Sequence, residues 1–248
     1  MSFFSIIKNY NKSRKPPTCT AVIAAAGVSQ RCKGEDKLFY LINDKPVLAY
    51  TLDTFQSCRF IREIIIVTRE ERFEEIASIC RKFEHNKVSQ IIGGGSTRVE
   101  SVINGVYAAS NKTNLIAIHD GGRPFLDIVI LEKTIKAAAK YHAAAPAIAI
   151  TSTIKRVNDG VISGTVNRES LYEVQTPQIF RAEVIKAALT NAVKKSINIT
   201  DDCMAAEIIG VPVHIVEGSR RNIKVTNIED LYIAETYINE NEEYQNSN

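Results

Sequence analysis

Residues 21–38, AVIAAAGVSQRCKGEDKL, decide how the rest of the chain is read. Their first six, 21–26, form a short apolar run of the kind that fills a strand buried on both faces. The run breaks at Gly27 into a polar loop that carries Arg31, Lys33 and Lys37. Small residues at a strand end let backbone N–H groups approach an anion with no Cβ intervening. Cations on the same loop add attraction and charge-assisted hydrogen bonds. The pattern suits a reacting polyphosphate, with an ordinary turn bearing surface cations as the alternative. It matches neither a Walker A sequence nor the spaced-glycine dinucleotide fingerprint.

Outward from this segment, strands and helices alternate. Residues 46–55 predict a helix with Pro46 near its first turn, and EIIIVT at 63–68 a second buried strand. A helix over 70–83 follows, its apolar positions on one face. Strand 87–92 ends in Gly93-Gly94-Gly95, and Ser96 or Thr97 is placed to cap a helix to about 109. Strand 115–119 ends in Asp120-Gly121-Gly122-Arg123-Pro124; a helix over 127–141 and a strand over 147–150 come next. This order predicts an α/β fold: a doubly wound, mostly parallel sheet with helices on both faces. Ligands bind such sheets beyond the carboxyl ends of the strands. The loops 27–37, 93–98 and 120–123 should therefore meet in one crevice.

From about 151 to 175 the texture changes to a β-arm turning at Asn158-Asp159-Gly160. An exposed hairpin is an edge liability unless something covers it, which predicts packing against a second subunit. Beyond it lie a helix over 181–194, a helix capped by Thr200, a strand over 212–216 and an extended piece at 222–225. Thr226 and Glu229 then form a capping box for a last helix to about 239. The expected organisation is an N-terminal extension over 1–17, one domain over 18–240 including the arm, and a frayed tail over 241–248.

With 248 residues, 45% hydrophobic and 24% charged, the chain has the balance of a soluble globular protein able to bury a core without disulfides. Its net charge of +3 is too small to argue for nucleic acid or a membrane as partner. Five cysteines, odd in number and without a CxxC pair, read as reduced thiols in a cytoplasmic setting. The first acidic residue is Glu35, so an organellar targeting role for the N-terminal extension is conceivable.

Asp120 and Arg123 share one loop: the aspartate could hold a divalent cation or a sugar hydroxyl, and the arginine a phosphate. The alternative is an internal pair that staples the loop. Lys224 stands between Ile223 and Val225, so its side chain points opposite to two apolar neighbours; composition alone favours a surface lysine. The four histidines lack metal-ligand spacing, and His119 is expected to orient its loop by hydrogen bonding.

AAAGVSQR, GGGSTRVESVINGV, HDGGRPF, TVNRESLYEVQTPQIF, ITDD and VEGSRRNIKVTNIEDL occur in that order between residues 24 and 231, within a match that runs from about 20 to 239. In these motifs the chain resembles the 2-C-methyl-D-erythritol 4-phosphate cytidylyltransferases of the non-mevalonate isoprenoid pathway. The resemblance implies a Rossmann-like, glycosyltransferase-A-like nucleotidyltransferase fold, a homodimer with interlocked arms, CTP and methylerythritol phosphate as substrates, and Mg²⁺. It implies that Ala25, Ala26 and Gly27 meet the triphosphate and base. Gly95 and Ser101 would read the cytosine, and Asp120 and Gly121 would lie near the ribose and metal. Arg31 and Lys37 would stabilise the transition state, with Lys33 in place of Lys37 if the loop aligns without a gap. Arg168 of a second subunit and Lys224 would position the sugar phosphate, helped by Arg123, Thr153 and Thr176. Two departures stand out: Ser29 replaces a usual glycine, and HDGGRP replaces HDAARP, which predicts a looser loop. A cytidylyltransferase for ribitol 5-phosphate or another polyol phosphate shares this framework, and a catalytically silent nucleotide-binding dimer is the reading from a different class.

Overall fold

The computed structural model describes residues 17–27 and 36–246. In chain order its elements are Cys19–Ala24 (β1), Leu41–Ile42 (β2), Lys45–Pro46 (β3), Val47–Ser57 (α1), Ile61–Thr68 (β4), Phe73–Lys82 (α2), Val88–Gly93 (β5), Arg98–Ala108 (α3) and Leu115–Asp120 (β6). Then come Ile128–Tyr141 (α4), Ala143–Ala149 (β7), Ile154–Asn158 (β8), Val161–Val166 (β9), Tyr172–Val174 (β10), Gln178–Arg181 (β11), Ala182–Lys194 (α5), Asp202–Ile208 (α6), His214–Glu217 (β12) and Ile228–Asn246 (α7).

β1 is the hub of the main sheet, pairing in parallel with β4 on one side and β6 on the other. β5 extends the sheet beyond β4, again in parallel. Alternate residues of the central strands enter opposite cores. Ala21, Ile23, Ile64 and Ile66 pack with Leu48, Phe55, Ile76 and Leu131. Val22, Ile65 and Val67 pack with Val102, Val106, Ile185 and Leu189. The continuous apolar runs of β1 and β4 thus reflect a sheet covered on both faces. α3 comes very close to that sheet at Gly105, where a Cβ would stand 2.3 Å from Val22 Cγ1.

The other half of the sheet departs from the sequence expectation. β11, which the sequence did not disclose, is inserted antiparallel between β6 and β7, and all four of its residues are buried. Its pairings are non-local, so the short run QIFR gives no periodicity that separates it from the helix after it. β7 begins at Ala143 rather than 147, because β12 and β11 flank its first half. β10 returns along the second half of β7. Only β8 and β9 form the free hairpin, closed by Asp159 and Gly160 at φ 48° and 79°, both left-handed as a two-residue turn between twisted strands requires.

Two helix starts also differ. Asp201, not Thr200, caps α6, its Oδ1 accepting the Met204 N–H at 2.9 Å. α7 is capped one residue later than expected: Asn227 Oδ1 accepts from Asp230 N–H at 2.9 Å, and Asp230 Oδ2 accepts from Asn227 N–H at 3.1 Å. That helix runs on to Asn246, past the expected end near 239. Of the described helices none is long and apolar enough to cross a membrane. Cys19, Cys58, Cys80 and Cys203 are free thiols.

Candidate active site

The carboxyl ends of β1, β5 and β6 open into one cleft of about 360 Å³. Ala25, Ala26 and Gly27 line it from the first loop, Gly95 to Arg98 and Ser101 from the second, and Asp120 to Gly122 from the third. Lys37, the last residue of the first loop, also lines it, and Lys224 reaches it from outside the three loops.

Backbone hydrogen bonds tie these loops to one another. Ala25 N–H donates to Val67 O at 2.8 Å, Gly94 N–H to Thr68 O at 2.8 Å, and Gly121 N–H to Ala24 O at 2.9 Å. A Cβ on Gly94 would stand 2.8 Å from Ala26 Cβ and from Ser101 Oγ, so glycine is what lets the first two loops touch. Ser101 Oγ accepts the Gly95 N–H at 3.1 Å and donates to Thr97 O at 2.9 Å. Thr97 and Glu100 close a capping box, leaving the start of α3 facing the cleft. Hydrogen bonds from Ser96 hold the Glu100 carboxyl below its ordinary range. The N–H groups of Ser96 and Thr97 both donate to Glu100 Oε2, at 2.7 and 3.3 Å, so the second loop is a turn held rigid by the Glu100 and Ser101 side chains.

Asp120 is the electrostatic centre. Its Oδ2 lies 3.0 Å from Lys224 Nζ and 3.3 Å from Arg123 Nε. Burial pushes its carboxyl up, but Lys224 and then Arg123 outweigh that and hold it down at about 2. Both cations fall on Oδ2, and among the described residues no hydrogen bond reaches Oδ1. Arg123 also donates to Asn222 O at 2.7 Å, which pins the segment bearing Lys224 to this loop.

His119, fully buried, organises the loop from behind. Its Nε2 lies 3.3 Å from Arg123 O, which can only accept, so Nε2 carries the proton. Nδ1 is then the acceptor for Thr176 O–H at 2.9 Å, and Thr176 Oγ1 in turn accepts the Asp120 N–H at 3.2 Å. Burial lowers the imidazole to about 4, so it stays neutral and keeps this direction of bonding. The Gly121-Gly122 loop is not loose as expected. Thr51 Oγ1 donates to Gly121 O at 2.8 Å and Val225 N–H to Gly122 O at 2.8 Å, so both carbonyls are held.

The structure thus brings Ala25, Ala26, Gly27, Lys37, Gly95, Ser101, Asp120, Gly121 and Lys224 to one cleft. Lys224 is a cleft residue rather than a surface lysine. Arg123 and Thr176 stand just behind Asp120, so the stapling pair weighed from sequence does form. Thr153 and Arg168 sit together at the base of the hairpin, apart from the cleft of their own chain. Arg31, Lys33 and Ser29 lie outside the described residues.

Sequence reasoning overlooked Arg98. It lines the cleft and grips fully buried Asp202 with two hydrogen bonds, at 2.8 and 3.2 Å. A cation in the first turn of a helix is disfavoured by the helix dipole, and that misfit was the available signal.

A sequence model of the IspD family, 2-C-methyl-D-erythritol 4-phosphate cytidylyltransferase, matches residues 19–240. The chain belongs to this family. The 2-C-methyl-D-erythritol 4-phosphate cytidylyltransferase of Clostridium acetobutylicum is 44% identical over 224 residues, covering 89% of this chain and 97% of that protein. Its counterpart in Caldanaerobacter subterraneus is 40% identical over 222 residues, 88% of this chain and 98% of that one. The crystal structure of 4-diphosphocytidyl-2C-methyl-D-erythritol synthase from Anaerococcus prevotii superposes with a TM-score of 0.80 at 31% identity, covering 90% of this chain and 97% of that one. The Thermus thermophilus 2-C-methyl-D-erythritol 4-phosphate cytidylyltransferase gives 0.74 at 27%, covering 88% and 98%. The family read from the sequence motifs is therefore the family found, and so is the fold class. Like other IspD proteins the chain is a nucleotidyltransferase, joining a cytidylyl group from CTP to 2-C-methyl-D-erythritol 4-phosphate.

Proposed function

We propose that the cleft holds CTP against the loops after β1 and β5, and that the methylerythritol phosphate enters beside Asp120 and Lys224. The observation that carries this reading is the convergence of three small-residue loops with Lys37 and Lys224 around one low-pKa aspartate. A phosphate oxygen of the substrate attacks the α-phosphorus of CTP in line. The new O–P bond forms as the bond to the β-phosphate breaks, and pyrophosphate leaves. The nucleophile is already an anion, so no general base is required. Catalysis then rests on positioning two polyanions and offsetting their charge. Lys37, with Arg31 from the same loop, takes the role of stabilising the α-phosphate. Ala25, Ala26 and Gly27 meet the triphosphate, while Gly95, Ser101 and Gly121 hold the nucleoside. Lys224, Arg123 and Thr176 position the methylerythritol phosphate.

Mg²⁺ fits this donor set. The ion is usually held by one or two carboxylates with substrate phosphates and water, and Asp120 offers an ionised carboxylate whose Oδ1 accepts no hydrogen bond from the described residues. When bound it would neutralise charge on the triphosphate; Asp120 is the residue that would hold it.

Arg168 and Thr153 complete the reading if the enzyme is a homodimer. Val157 and Ile162, paired across the hairpin, are 54% and 61% exposed, an apolar patch that a second copy of the arm would cover. Arg168 would then reach the partner's cleft. We place the enzyme in the cytoplasm, where the free cysteine thiols would stay reduced.

Pyrophosphate release tests the proposal, with CTP and Mg²⁺ and either methylerythritol phosphate or ribitol 5-phosphate. Turnover is expected with the first, and Arg31→Ala or Lys37→Ala should cost roughly 100- to 1,000-fold. Turnover with ribitol phosphate alone would move the substrate to the sister polyol. CTP binding without turnover would leave a nucleotide-binding dimer.

A further inference from the structure

We infer that Arg69 is a positioning residue for Lys37, acting through an ion pair with Asp36; the inference rests on the role proposed above for Lys37. Arg69 is the first residue after β4, and its Nη2 lies 2.8 Å from Asp36 Oδ2. The Asp36 side chain is only 7% exposed. Its second oxygen accepts the Leu38 N–H at 3.3 Å, and its backbone carbonyl accepts the Phe39 N–H at 2.9 Å. Asp36 therefore shapes the turn on which Lys37 stands, and Arg69 fastens that turn to the sheet.

The anchor itself is rigid. Thr68, immediately before Arg69, donates its hydroxyl to Ala25 O and accepts the Gly94 N–H, so the end of β4 is braced by both nucleotide-facing loops. A second arginine from the same turn, Arg72, lies over the Phe39 ring at 4.7 Å. Leu38, on the other side of Lys37, is buried, and its carbonyl accepts the Leu48 N–H at 3.0 Å. Lys37 is thus bracketed by fixed neighbours, and its Cε lies 3.8 Å from where a Cβ on Gly122 would stand. Arg69 also meets Glu71 at 3.2 Å, but that carboxylate is 63% exposed and such surface pairs constrain little. The nearly buried Asp36 is the partner that sets geometry. Displacing a charge-stabilising group by about 1 Å can cost on the order of 100-fold in turnover.

The experiment is a double-mutant cycle on the full chain, read as kcat for pyrophosphate release beside CTP affinity by titration. Arg69→Ala should lower kcat on the order of 10- to 100-fold while CTP affinity changes far less. In a Lys37→Gln background the same substitution should add almost nothing, because the group it positions is gone. Asp36→Asn, which retains an oxygen for Leu38 but loses the charge, should reproduce the Arg69→Ala effect even if that variant fails to fold. Equal losses from Arg69→Ala in both backgrounds, or wild-type kcat in Asp36→Asn, would overturn the inference. Wild-type kcat in Lys37→Gln would instead sink the role of Lys37, and the inference with it.

Discussion

Lys224 Nζ and Asp120 Oδ2 stand 3.0 Å apart at the edge of the cleft, joining the last extended piece of the chain to the end of β6. The pair explains how a carboxylate this buried stays ionised: burial opposes the charge, and Lys224 with Arg123 restores it. Because the Lys224 side chain is 41% exposed, its ammonium can also face a substrate phosphate.

Lys224→Met should therefore lower kcat/KM for the sugar phosphate roughly 10- to 100-fold, the range for losing one charge-assisted hydrogen bond. It should also change acid stability in a fixed direction. The folded Asp120 carboxyl titrates at about 2, below the ~3.9 of an unfolded chain. Its stabilisation is present in full above about pH 4 and is lost as pH falls through 2. The thermal midpoint of the variant should lie below wild type by a constant amount at neutral pH, and the gap should close toward pH 2. A gap that stays open at pH 2 would assign the loss to packing instead.

His119 makes a pH prediction of the same sign, testable at milder acidity. Folding lowers its imidazole to about 4, against ~6.5 unfolded. The folded state binds fewer protons, so stability is full above about pH 6.5, erodes on acidification and stops eroding below about 4. His119→Gln keeps a donor and an acceptor but cannot titrate. Denaturant midpoints across this window should fall for wild type and stay flatter for the variant. Parallel slopes would place the titration elsewhere.

The half of the sheet built from local strand–helix units was legible, because β1, β4 and β6 are apolar runs and the glycine-bearing loops after β1, β5 and β6 converge by topology. β11 was not legible: its four residues gain their meaning from β6 and β7, which are distant in sequence. The same holds for Arg98, whose partner Asp202 lies on another helix and can be identified only once both helices are packed. Lys224 marks the boundary case. Alternation predicted which way it points, but only the fold supplies the aspartate it meets.

The separation of Arg168 and Thr153 from the cleft of their own chain is the feature with the sharpest consequence. If the arms are exchanged in a dimer, each site takes Lys37 and Arg31 from one chain and Arg168 from the other. Arg31→Ala and Arg168→Ala proteins, each nearly inactive alone, should then rescue one another after being mixed, denatured and refolded together. Half of randomly formed dimers would be mixed and each would carry one intact site, giving about a quarter of wild-type turnover. An Ile162→Asp substitution on the exposed hairpin face should block the rescue and shift the protein to monomer in sedimentation. No recovery on mixing, in protein that still sediments as a dimer, would mean that Arg168 serves its own chain or none.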